Sequence, residues 1–205
     1  MKGILIAQKP RDCENIVSGK KTIIVCKKMP KLQTPFKGYI FCTKGRPFIQ
    51  KIRFGDIAIS HTQISKNLYN GKVIGEFICD RIDRIEKRGI NNNFDYCYLS
   101  LNEWGNDDIE IEIKDIQKSC ISKSELNAYG ENSSCLYGLH ITDLKIYDKP
   151  KELSEFSRPC SYDGLCFTCK RFKANGSSYD ICNSAVTRPP QGWIYVEELE
   201  DSNDK

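Results

Sequence analysis

A chain of 205 residues with 40% hydrophobic and 28% charged content can build one core with an elaboration, or two small ones. The formal charge of +4 conceals an asymmetry: residues 1–54 carry thirteen Lys and Arg against only Asp12 and Glu14, and the other acids crowd the remainder. The apolar run at the N-terminus is too short for a signal peptide and no later stretch approaches a membrane span, so a cytoplasmic protein without a membrane partner is expected. The basic third favours anions, nucleic acid among them, although uneven solubilising charge would give the same pattern.

GILIAQ (3–8) reads as a strand. Pro10 then opens a helix over 11–18, with Cys13, Ile16 and Val17 on one face and Gly19 as its stop. Strands follow at TIIVCK (22–27), GYIFCTK (38–44) and DIAIS (56–60). Residues 72–87 read as one long strand or a bent pair, the second half alternating Ile82 and Ile85 with charge. Residues 88–98 read as a loop around an Asn run, and IEIEI (109–113) as a half-exposed strand. Ser122 and Glu125 spell a capping box, and Gly130 closes that short helix. GLHITDLKIYD (138–148) is another strand, KPKELSEF a turn with one helical turn, and WIYVEEL (193–199) a last strand. Many short strands with few helices argue for an α+β fold: a small mixed β-barrel with short flanking helices.

Seven of the 11 cysteines are scattered, several in apolar runs where a thiol acts as a small core hydrophobe. Cys160, Cys166, Cys169 and Cys182 lie close together, and the Cys166–Cys169 spacing lets two thiolates turn onto one metal. Four sulfurs satisfy tetrahedral zinc with no open position. Structural zinc is therefore expected, supplying folding energy to a segment poor in apolar residues. Unrelated loop thiols and a redox pair are the alternatives. Neither of the two histidines, His61 and His140, has a metal-ligand spacing. His140 reads as a hydrogen-bonded strand residue or, alternatively, as one facing a ligand. No nucleotide loop or serine-nucleophile motif occurs. The paired acids Asp107/Asp108 and Glu110/Glu112 read as solvated charge.

A Lys-Pro near the start, a helix ending in Gly and GKKT before a strand are followed in order by PFKGYIFCTK, GKVIGEFICDRI, YGLHITDLKIYDKPKELSEF and RPPQGWIYVEE. In these motifs the chain resembles the ASCH domain family of the PUA-like superfold, in its phage and prophage branch, over residues 1–157 and 187–199. The resemblance implies a PUA-like barrel domain at 1–157, a cysteine-rich insert at 158–186, a final barrel strand at 187–199 and a tail at 200–205. It implies a polar, basic cleft suited to RNA or a modified nucleoside.

Some members of the family are amidohydrolases on acetylcytidine. They act through a lysine just after the helix-ending Gly, a threonine three residues later and a distant glutamate. The lysine matches Lys21, but Ile24 stands at the threonine position. In the phage branch that position is commonly Glu and the one two further on Arg; here they are Ile24 and Cys26. An apolar strand raises a thiol pKa, so Cys26 is expected to be inert. Glu76 is the candidate carboxylate, with Lys21 as its partner, and Thr22 the substitute nucleophile. The expectation is an RNA- or nucleobase-binding module, leaning away from catalysis, whose ligand meets Lys9, Lys20, Lys21, Thr22, Glu76 and His140. Lys27 and Lys28 read as the solvated far end of their strand. The alternatives are an amidohydrolase using Lys21, Thr22 and Glu76, or a phage or host regulator acting through protein contacts.

Overall fold

The computed structural model describes residues 1–46, 48–53, 56–60, 69–90, 95–100, 117–159 and 185–199. The chain opens with β1 (Lys2–Gln8), α1 (Pro10–Val17), β2 (Ile23–Cys26) and β3 (Phe36–Cys42). Then come β4 (Phe48–Arg53), β5 (Asp56–Ser60), β6 (Val73–Cys79), β7 (Ile82–Ile90) and β8 (Asp95–Ser100). The helix α2 (Lys123–Tyr129) precedes β9 (Cys135–His140) and β10 (Thr142–Lys151), a 3-10 turn at Leu153–Glu155 and finally β11 (Trp193–Glu197).

Pro10 stands at the start of α1, where its missing N–H costs nothing, and Asp12 lies in the first turn near the positive end of the helix. The capping box of α2 is present in full: Ser122 Oγ accepts from the Glu125 N–H, and the Ser122 N–H donates to Glu125 Oε2. Residues 72–87 form a bent pair, β6 then β7. Residues 88–98 are not a loop throughout: β7 runs to Ile90 and β8 begins at Asp95. The IEIEI segment, His61 and the paired acids at 107–112 lie outside the described residues.

Five strands form a mixed sheet in the order β10-β6-β3-β1-β11, in which β1 and β3 are parallel and the other pairs antiparallel. Four more form β2-β9-β7-β8, and β4 pairs with β5. The larger sheets are joined by one bent ribbon. β6 and β10 are neighbours in the first sheet, and their continuations β7 and β9 are neighbours in the second. At the bend the ladder slips between Thr142 and Lys145, and Asp143 takes φ +46°. Such a bulge bends a strand and lets it change sheets.

The expected barrel is therefore corrected. Among the described residues no ladder links the outer strands β10 and β11 of the first sheet to β2 or β8 of the second. A barrel must pair every edge, and these sheets stay open. The α+β class, with a mixed sheet, an antiparallel sheet and short helices, stands.

Strand alternation sorts the core onto two faces of the five-stranded sheet. Ile40 and Cys42 of β3, with Ile4 and Ile6 of β1, pack under α1 and β2 through Cys13, Ile16, Val17, Ile24 and Cys26. Tyr39 and Phe41, with Leu5, face the other way onto Phe156 and Val186. There the Tyr39 and Phe156 rings meet edge to face, centroids 4.9 Å apart. Gly38 lies beneath the Phe77 ring, where a Cβ would come within 2.3 Å of it.

Candidate functional site

The Lys21 ammonium is buried, 3% exposed, and forms a 2.7 Å ion pair with Asp12 Oδ1 of α1. The local chain dictates this. Gly19 takes φ +72° just after the helix, a conformation open to glycine, and the chain doubles back so that the Lys21 N–H donates to the Asn15 carbonyl. Lys21 lies in a cleft of about 770 Å³ between α1 and α2, with Lys9, Arg11, Asp12 and Glu125 also on its walls. Positive and negative groups alternate here, so the field is mixed. Glu125 is held below the ordinary carboxylate range by the Ser122 backbone and hydroxyl, aided by Arg11 and Lys9.

Glu76 is not Lys21's partner. It is in register with Tyr39 and so shares the sheet face opposite α1. It accepts a 2.6 Å hydrogen bond from the Tyr147 hydroxyl and lies 3.7 Å from Lys37 Nζ and 4.0 Å from Lys145 Nζ. Ile24, at the family's threonine position, is fully buried in the core. Thr22 and Lys20 line neither cleft described here; the Thr22 backbone is bonded to Lys118 and Ile141, and Lys20 is exposed. Burial pushes the Cys26 thiol up to about 12, against a lowering backbone hydrogen bond from Lys28; the thiol itself donates to the Lys28 carbonyl, and the raised pKa expected for Cys26 is present.

His140 Nε2 lies 2.6 Å from Asp83 Oδ2, and Arg81 Nε lies 3.0 Å from Asp83 Oδ1. Burial would raise the Asp83 carboxyl. The His140 hydrogen bond and charge, with Arg81, outweigh it and hold Asp83 below its ordinary value. The hydrogen-bonded strand reading of His140 thus describes its surroundings, and His140 lines neither cleft.

A second, larger cleft of about 1130 Å³ is lined by Lys2, Lys27, Lys28, Lys31 and Arg158; among the described residues no acid lines it, and Glu197 stands across from Lys2 in the β1–β11 ladder. Tyr129, Trp193 and Tyr195 supply its aromatic surface. It shares Cys26, Tyr129, Gln191 and Gly192 with the cleft of Lys21, so the two are arms of one depression. The smaller arm lies within the range of about 300–1,000 Å³ usual for small-molecule sites, and the larger exceeds it.

The basic loop after β2 is pinned to β11. The Trp193 indole N–H donates to the Lys28 carbonyl at 2.8 Å, and the Tyr195 hydroxyl accepts from the Lys31 N–H at 2.7 Å. The rings of Trp193 and Tyr195 meet edge to face, 5.0 Å apart, and pack against the core. Backbone is thereby fixed while Lys27 and Lys28 remain exposed. Burial lifts the Tyr129 phenol above its ordinary value, against a lowering hydrogen bond to the Lys27 backbone.

Of the expected ligand contacts the structure brings Lys9 and Lys21 into one arm and leaves Lys20, Thr22, Glu76 and His140 elsewhere. Sequence reading did not single out Lys2, Lys31, Arg158, Tyr129, Trp193 and Tyr195, which line the larger arm, and set Lys27 and Lys28 aside. The usable signal was the Lys27–Lys31 cluster together with Trp193 and Tyr195, two apart on a strand and so on one face.

The zinc expectation is withdrawn. Among the described residues no group of three or more His, Cys, Asp or Glu could hold a metal ion. Cys160, Cys166, Cys169 and Cys182 themselves lie outside the described residues. Among the described residues no helix is long and apolar enough to cross a membrane.

Fold and cleft together define an α+β protein of open sheets, one mixed and one antiparallel, with a two-armed depression whose larger arm is basic. No family model matches the chain, and no curated protein matches it. Among solved structures it is similar to ASCH from Zymomonas mobilis, at 17% identity over 96% of this chain and 88% of that one, with a TM-score of 0.47. A mutant of that protein gives 18% identity, 97% and 92% coverage and a TM-score of 0.47. A second mutant gives 16% identity, 96% and 89% coverage and a TM-score of 0.46. Likenesses at this level assign neither family nor activity.

Proposed function

We propose that the protein is an ASCH-type module that binds single-stranded RNA in the two-armed depression, with the larger, basic arm carrying the phosphates. The observation that carries this reading is the set of Lys2, Lys27, Lys28, Lys31 and Arg158 on one concave wall, whose lining among the described residues includes no carboxylate. Like charges gathered this way repel one another and are relieved by a polyanion. The pinned loop adds to the argument, because its backbone need not be ordered when the ligand arrives. Aromatic rings beside cations suit single strands, whose bases are free to stack.

Binding is favoured over amide hydrolysis because the parts of that reaction are dispersed. Ile24 is in the core, Glu76 is on the far face of the sheet, and Lys21 is paired with Asp12. The cysteine-rich segment is proposed as an insertion ahead of β11: Ser157 and Ala185 form an isolated bridge, so the chain leaves and returns at one place. Its placement in a phage-type branch rests on the sequence motifs alone.

The test is fluorescence anisotropy of a labelled RNA of about 12 nucleotides, titrated from about 50 to about 200 mM salt. Each phosphate contact on a single strand contributes about −0.7 to the slope of log K against log salt, so five cations would give about −3.5. The triple variant Lys27→Ala/Lys28→Ala/Lys31→Ala should bring the slope to about −1.4. Absence of binding at low salt, or a triple variant with an unchanged slope, overturns the reading.

A further inference from the structure

Tyr129 is the aromatic that the two arms share; its phenol also meets the Lys27 backbone, but it is the most exposed of the three aromatics. Trp193 and Tyr195 hold the basic loop through their polar atoms and pack against the core. Tyr129 ends α2 with its side chain at the surface, 41% exposed, beside few other large apolar groups so exposed among the described residues. The Lys27 ammonium lies 5.0 Å from the centre of its ring. Lys27 therefore covers an aromatic face at the junction of the arms.

We propose that Tyr129 is the base-stacking seat of this depression and that Lys27 is its displaceable cover. This rests on the RNA-binding reading. In the free protein the ammonium sits on the ring. A base of a bound strand takes the ring face, and Lys27 turns to the phosphate of the same strand, in the arm where four other cations already lie. The exchange runs in that direction because a cation on an exposed ring is held weakly, whereas base–aromatic stacking is the stronger contact. The displaced lysine also gains an anion. Tyr129 is fitted to the role because α2 fixes its backbone through the Ser122–Glu125 box at the other end of the helix. Every base offers a flat face, so this seat recognises the presence of a base without choosing among sequences.

The experiment compares an oligouridylate with an abasic ribose-phosphate strand of the same length, on wild type, Tyr129→Leu, Tyr129→Phe and Lys27→Ala. Wild type and Tyr129→Phe should prefer the base-bearing strand about tenfold. Tyr129→Leu should lose that preference with the salt slope unchanged. Lys27→Ala should keep the preference and make the slope shallower by about 0.7. A Tyr129→Leu protein that retains the tenfold preference overturns the seat while leaving RNA binding intact. Failure of wild type to bind either strand overturns the RNA reading itself. Should Tyr129→Leu fold poorly, a strand carrying the fluorescent base 2-aminopurine decides the matter on wild type. Quenching on binding supports stacking, and unchanged emission of a bound strand overturns it.

Discussion

The two arms of the depression hold their cations in opposite ways. In the smaller arm Lys21 is buried and paired with Asp12, and further acid lines the wall. In the larger arm five cations stand with no acid on the wall among the described residues, and the loop bearing three of them is tied down by its backbone. A buried ion pair satisfies its own charge and leaves little for a ligand. Exposed lysines on a fixed loop give up water and salt, and Lys27 a weak contact with the Tyr129 ring. On the proposed RNA reading, burial of a lysine is a poor guide to binding, although burial is what makes Lys21 conspicuous.

The sharpest way to break this comparison is to remove Asp12. Asp12→Ala leaves a buried ammonium unpaired and should cost about 3 kcal/mol of stability in a denaturant melt, with Asp12's own partial exposure keeping the loss at the low end. The double variant Asp12→Leu/Lys21→Met, which removes both charges, should recover most of that loss. Lys28→Ala should leave the melt unchanged. If Asp12→Ala melts like wild type, the pair is not the internal clamp that separates the two arms.

Next in size is a contrast between two exposed lysines. Lys28→Ala should weaken RNA binding about threefold at low salt, as one lost phosphate contact, while Lys20→Ala should leave it unchanged. Equal effects at the two positions would mean that the ligand follows the whole basic third of the chain and not the larger arm. Thiol chemistry gives a still simpler contrast. Cys26 lies between the arms but is buried, with its thiol pushed up to about 12, so alkylation in the native state at mildly alkaline pH should leave it unlabelled by peptide mass mapping. Labelling before unfolding would show the junction of the arms to be more open than the core packing of Cys26 implies.

Much of the scaffold was legible because it depends on local chemistry. Pro10 and Gly19 bracket α1, Ser122 and Glu125 write their capping box, and DIAIS reads as a strand and is one. The loop expected at 88–98 failed because the Asn run outweighed the short strands on either side of it. Long-range facts were not legible. Whether the two larger sheets close a barrel depends on whether β10 and β11 meet β2 and β8, and that is a pairing between distant segments. Glu76 was matched to Lys21 on charge, but register with Tyr39 puts it on the other face, and a slip of one residue reverses such an assignment. The larger arm joins Lys28 to Trp193 and Lys31 to Tyr195, partners more than 160 residues apart, so its parts were visible and its assembly was not.

The smallest expected effect lies outside both arms, at Arg81, Asp83 and His140. This cluster has opposite charges, like the Lys21–Asp12 pair, but is partly exposed, with Arg81 59% and Asp83 17% accessible. Asp83 is held below the ordinary carboxylate value, so its ionised form is bound more firmly in the folded protein than in the unfolded chain. The sign follows: the contribution is fully present above the unfolded carboxyl pKa of about 3.9, and is lost as pH falls through the lower folded value. Asp83→Asn should thus reduce stability by about 1 kcal/mol near neutral pH, and the gap from wild type should close progressively below about pH 4. RNA affinity should not change, because the cluster lines neither arm. A gap that widens on acidification would reverse the assigned direction of the Asp83 shift. A loss of RNA binding in Asp83→Asn would return His140 to the ligand contacts and extend the site around the bend of the ribbon, beyond the basic loop.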